Sequence, residues 1–205
     1  PRIHWVLRGF YGRFFQPAPL LTVSSGLLDY VQGQQGPNTF VPLPSERDEE
    51  HQFGIHIPAR GWALDVDTFR TRINNFLDHA NVGESNLYFP IAVAGALVRG
   101  WEMTMTSPRV AHIGQFHLAY SNQIAEQRGG IIGGYTCALP SDPACNNGPN
   151  YEPVDHDQRN TLNTGFTANL PAQTWFASNV YYGSGFVNGL AASGIGPYQG
   201  EYLPA

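Results

Sequence analysis

Apolar and polar residues alternate with period two along most of the chain, and this pattern predicts strands joined by connections of very unequal length. The clearest run is Trp62–Thr71, with Trp62, Leu64 and Val66 on one face and Ala63, Asp65 and Asp67 on the other. Ahead of it, Ile3–Gly12 reads as a strand, and so does Glu49–Ile57, where Phe53, Ile55 and Ile57 alternate with Gln52, Gly54 and His56. After it come a short extended piece at Asn86–Ile91 and a strand at Leu97–Thr106, where Trp101, Met103 and Met105 oppose Gly100, Glu102, Thr104 and Thr106. In Val110–Ala125, Phe116, Leu118 and Tyr120 oppose Gln115, His117, Ala119 and Ser121. A final pair, Arg159–Leu170 and Thr174–Gly183, completes about seven strands.

The connections sort by length. Short turns are expected at Pro58–Gly61, Ser107–Arg109 and Pro171–Ala172. Long irregular stretches are expected at Arg13–Ser45, around Arg72–Ser85 and at Glu126–Val154, with a helical turn at Leu27–Tyr30 inside the first. Every second connection of an up-and-down antiparallel sheet lies at the same end, so the short turns share one end and the long loops the other. Outer-membrane β-barrels show that asymmetry, and strands of about 9–11 tilted residues suit a bilayer better than the usual soluble strand does. Trp5, Tyr11, Trp62, Phe69, Trp101, Tyr120, Trp175 and Tyr182 fall near strand ends, where interfacial girdles place aromatics and ordinary strand propensity also does.

Composition narrows the reading without deciding it. Charged residues make up 13% and the net charge is −5, which argues against a nucleic-acid surface. All eleven basic residues are arginine. No run of 18 apolar residues predicts a membrane helix, and a mean hydropathy of −0.25 fits both a soluble sheet and a barrel wall. Beginning at Pro1, without an initiator methionine or leader, the chain reads as part of something longer. Cys137 and Cys145 share one polar loop. A local disulfide is expected in an oxidising compartment, two free thiols being the alternative, and two cysteines are too few for a four-ligand zinc site.

Several motifs in order carry a resemblance. GFYGRFFQPAPLL, ERDEEHQFGIHIPARGWALDVDTFRTRINNFLDH, LVRGWEMTM, FHLAYSNQIA and DHDQRNTLNTGFTANL followed by NVYYGSGF resemble the barrel of TonB-dependent outer-membrane receptors, most of all those with a carboxypeptidase-regulatory-like N-terminal domain. The resemblance spans nearly the whole chain. It implies an all-β, antiparallel, up-and-down transmembrane β-barrel, of which residues 1–205 form a partial wall. It also implies a location in a Gram-negative outer membrane, contact with its lipid, and active uptake of a scarce ligand. The partners would be the protein's own plug domain and the TonB complex, acting through parts not contained in this stretch. Receptor barrels of this kind have about 22 strands around a plugged lumen. In isolation the segment is expected to expose two sheet edges and to aggregate without detergent. Siderophores, cobalamin, oligosaccharides and peptides all fit as cargo. The other readings are a soluble all-β module, such as a sugar-binding sandwich with exposed tryptophans, and a plain porin.

Candidate site residues follow from strand parity. Asp65, Asp67, Glu102, Gln115, His117, Arg159 and Asn163 are expected to line the lumen as a polar wall. Asp155-His156-Asp157 with Arg159 looks like a metal or acid–base cluster. Strand alternation puts the two aspartates on one side and His156 on the other, so charge pairing at a strand start is the expected role. His51 and His56 differ by an odd offset and make no metal pair. Gly129–Gly134 lacks the lysine and hydroxyl of a phosphate loop. No nucleophile–base constellation stands out, so no enzyme, cofactor or metal is expected.

Overall fold

In a computed structural model, the residues described are 4–18, 40–81, 88–110, 113–135 and 148–186. They form nine strands of one antiparallel sheet: β1 (Val6–Gln16), β2 (Phe40–Val41), β3 (Glu46–Ala59), β4 (Trp62–Asn81), β5 (Tyr88–Thr106), β6 (Gly114–Tyr135), β7 (Glu152–Pro153), β8 (Asn160–Leu170) and β9 (Thr174–Gly183). Seven run side by side in chain order, β1-β3-β4-β5-β6-β8-β9; of the two-residue strands, β2 pairs with Gly134 and Tyr135 at the far end of β6, and β7 pairs with Glu126 and Gln127 near its middle. The chain is therefore all-β and up-and-down. The sheet is open, with β1 and β9 at its edges.

The short connections do share one end. Arg60 (φ 51°) and Gly61 (φ 86°) alone join β3 to β4, a two-residue hairpin with both residues left-handed, as the twist of paired strands favours. Pro58, expected in that turn, belongs to β3 and pairs with Ala63. The expected tight turn at Ser107–Arg109 is a wider connection extending to Ile113. Ser107 organises it: its hydroxyl accepts from the Phe116 N–H at 2.8 Å, and its carbonyl accepts from Gln115 Nε2 at 3.1 Å. The last hairpin turns over Pro171–Gln173, one residue longer than expected, with Ala172 and Gln173 at positive φ.

The long connections need a larger correction. Arg72–Ser85 was expected to be irregular, yet β4 continues unbroken to Asn81 and β5 begins at Tyr88, leaving only residues 82–87 between them. Likewise β1 runs through Arg13 to Gln16, and β6 runs on from Glu126 to Tyr135 through the glycines expected to form a loop. Between β4 and β5 the asymmetry of the two ends is thus largely one of strand length, whereas residues 17–45 and 136–159 still separate the other long strands at that end. Glycine and polar content hide these extensions, because in strands paired on both sides the ladder itself supplies the stability. Gly134 (φ 83°) lies where Pro90 and Ile91 press closest, and a Cβ there would overlap the Pro90 carbonyl oxygen. The helical turn at Leu27–Tyr30 and both cysteines, Cys137 and Cys145, lie outside the described residues.

Packing differs along the strands. Phe89, Ile91, Ala92, Val93, Ala96 and Leu97 are buried around the first half of β5, where neighbouring strand extensions surround it. Nearer the short turns the sheet has no second layer among the described residues. Leu7 is 64% exposed, Phe53 55% and Val180 58%.

Candidate functional site

Residues directly opposite one another in an antiparallel ladder point to the same face. One row across all seven long strands reads Leu7, Ile55, Val66, Met103, Tyr120, Leu162 and Tyr182. The row one residue along reads Arg8, Gly54, Asp67, Glu102, Ser121, Thr161 and Gly183 and faces the other way. Two parallel rows repeat the contrast. Ile57, Leu64, Met105, Leu118, Thr164 and Val180 share the first face, whereas His56, Asp65, Thr104, Ala119, Asn163 and Tyr181 share the second. Period two from β3 to β8 and a register that runs without slips through these rows thus add up to a sheet with one apolar and one polar face, the only register shifts in the β5–β6 ladder lying farther along, at Ala92–Gly95.

Six of the seven expected polar-wall residues lie on that polar face: Asp65, Asp67, Glu102, Gln115, His117 and Asn163. Arg8, which sequence reasoning missed, joins them from the edge strand. Its guanidinium bridges Asp65 and Asp67, at 2.9 Å to each. Asp65 also pairs with His56 Nδ1 at 2.9 Å. Arg8 thus offsets part of the charge of the two aspartates, and none of the described residues forms a group of three or more donors able to hold a metal ion. No local signal marks Arg8, because it reaches Asp67 across Gly54 only through the registers of β1 with β3 and of β3 with β4.

The seventh residue, Arg159, sits elsewhere. It precedes β8 and its Nε donates to Asp157 Oδ2 at 2.6 Å. Asp157 is fully buried, and its other oxygen accepts from the Ala125 N–H at 2.9 Å. The pair pins the β7–β8 connection to the side of β6. Structural pairing is therefore the role found, but the expected alternation fails, because Asp155 and His156 form a turn rather than a strand. His156 does not face away from Asp155; the two side chains pair with each other. His51 contacts Glu49, and His56 contacts Asp65. Of the expected girdle, Phe69 lies on the polar face beside Gln52 and Gly100, and Tyr120 and Tyr182 lie in the middle apolar row.

At the far end of β3, Glu46 and Asp48 stand on the polar face, more than five residues beyond the central apolar row. Burial raises the pKa of Glu46 although the Leu77 N–H donates to it at 2.7 Å, and the neighbouring Asp48 charge adds to the rise. Burial, then the charge of Glu50, raises that of Asp48, one of whose oxygens is buried without a hydrogen bond. A raised carboxyl pKa means the folded state binds the proton more tightly, so this cost is absent below the ordinary value of 3.8 and fully present above the folded value. Asp48→Asn should therefore raise the unfolding temperature at neutral pH, with the gain shrinking as pH falls towards 3.8. Melting curves of both proteins across that range check the sign.

The chain matches no family model, no curated protein and no solved structure.

Proposed function

We propose that this chain is part of the wall of a TonB-dependent outer-membrane receptor, a transporter rather than an enzyme. The observation that carries the membrane part is the pair of adjacent rows across seven strands, one apolar, exposed at Leu7 and Tyr182 and half-buried between them, the other polar. A single sheet with an exposed apolar face needs an apolar partner, and a bilayer supplies one without a second protein layer. The band from Trp62 to the Thr68–Trp101 row measures about 20 Å along the strands, which at the ~40° tilt of barrel strands spans about 15 Å of the ~25 Å apolar height of outer-membrane barrels. Strands β1, β8 and β9 have 11, 11 and 10 residues, which suits a tilted crossing. The 20 and 22 residues of β4 and β6 would carry the wall well past the bilayer on the side away from the short turns. On this reading the free edges of β1 and β9 pair with further strands of the barrel, and Asp65, Asp67, Glu102, Gln115, His117 and Asn163 face its lumen.

The receptor part of the proposal rests on the ordered motifs that resemble TonB-dependent barrels. Fractionation of the intact natural protein tests the membrane part. It is expected in the outer-membrane fraction, with a gel mobility that changes on heating. Recovery in the soluble periplasm with no such change would sink the proposal. A plug-domain pattern in the adjoining coding sequence separates a receptor from a plain porin.

A further inference from the structure

Just beyond the apolar band, the same face changes character. Tyr11, His51, Arg70 and Arg99 stand in register on four successive strands. The next row holds Arg13, Glu49, Arg72, Leu97 and Glu126, and Arg47 follows one row farther on. Five of the chain's eleven arginines, all exposed, therefore gather on one patch of a protein whose net charge is −5. Strand parity concentrates them: in the acidic run at the start of β3, Glu46, Asp48 and Glu50 turn to the polar face while Arg47 and His51 turn to this one.

Two acids enter the patch and each has a partner, Glu49 with Arg13 at 3.5 Å and Glu126 with Arg99 at 3.3 Å. Among the described residues Arg70 and Arg72 form no ion pair, and with Glu49 and His51 they line a depression. Arg70 lies directly opposite Arg99, a like-charge cross-strand pair that Glu126 offsets on the Arg99 side only. Neighbouring strands about 4.8 Å apart put such guanidinium groups within reach of one phosphate, which they match in fork geometry.

We infer that this arginine belt binds the phosphate groups of anionic lipid in the leaflet on the side away from the short turns. The inference rests on the barrel reading. A lipid phosphate fits better than a dissolved anion because the belt adjoins the apolar band directly, with Trp101 between the arginines and Met103 on β5. Lipid whose chains cover Val66 and Met103 brings its headgroup to the level of Arg70 and Arg99. The arginine side chains extend towards that level, keeping their charge out of the hydrocarbon.

The test uses the intact natural protein in phosphatidylcholine nanodiscs with or without diphosphoryl lipid A. Affinity for the phosphorylated lipid is measured for wild type and for the triple variant Arg70→Ser, Arg72→Ser, Arg99→Ser. Losing three interfacial arginines is expected to weaken binding on the order of a hundredfold. The heat-dependent gel shift should persist, showing an assembled barrel. Should the triple variant fail to assemble, Arg72→Ser alone is expected to cost about fivefold. Unchanged affinity in a variant with a normal gel shift would overturn the inference while leaving the barrel reading intact. Displacement of the lipid by millimolar inorganic phosphate would also overturn it, in favour of a free-anion site. A wild-type protein with no gel shift would remove both readings together.

Discussion

Met103→Arg is expected to cost about 2–4 kcal/mol of barrel stability and to deplete the assembled protein in the outer membrane. Thr104→Arg, one residue along the same strand, should change little. Met103 occupies the central apolar row between Val66 and Tyr120, where a guanidinium would have to leave water for hydrocarbon. Thr104 turns to the other face, between Asp65 and Ala119, where an added cation finds a carboxylate beside it. The amount of heat-shifting protein recovered from outer membranes, compared for the two variants, checks the contrast. Equal damage from both would mean that the polar face is packed against protein rather than open to a lumen. That result would favour a sandwich.

Asp157→Ala carries the second large effect, about 3 kcal/mol. Removing one partner of a buried ion pair typically costs about 3–5 kcal/mol because the other is left uncompensated. The low end applies here, since the Arg159 side chain is 28% exposed and water can reach it. The substitution also takes the acceptor from the Ala125 N–H. The damage should be local: faster amide exchange at Ala125 and easier proteolysis between β7 and β8, with the seven-stranded ladder near the short turns preserved. Asp157→Asn keeps an acceptor for Ala125 and loses only the charge, so it should fall between wild type and alanine. An alanine variant indistinguishable from wild type in exchange at Ala125 would show that the connection is held by other contacts.

Strand existence and the division of each strand into two faces were legible from local pattern. Trp62–Thr71 and Thr174–Gly183 show this, the second with both its ends where the alternation places them. The extensions of β4 and β6 were not legible. Asn74, Asn75 and the glycines near Gly133 are poor strand formers in isolation and become strand only because partners lie beside them. The Asp155–Asp157 cluster misled for the related reason that a turn does not alternate. The arginine belt was invisible because its members are far apart in the chain: Arg13, Arg47, Arg70 and Arg99 meet only once register is known.

By itself, then, the sequence determined an all-β, up-and-down chain of about seven long strands, each with an apolar and a polar side. Alternation with period two needs nothing but neighbouring residues, so it can be read locally. The tertiary structure decided the register that lines up Leu7, Ile55, Val66, Met103, Tyr120, Leu162 and Tyr182, and with it the continuity of the apolar face. Register depends on contacts between distant segments, since a slip by one residue in any strand would turn its apolar side to the polar face. Those same pairings brought Arg8 to Asp65 and Asp67, and gathered the arginines beside the apolar band.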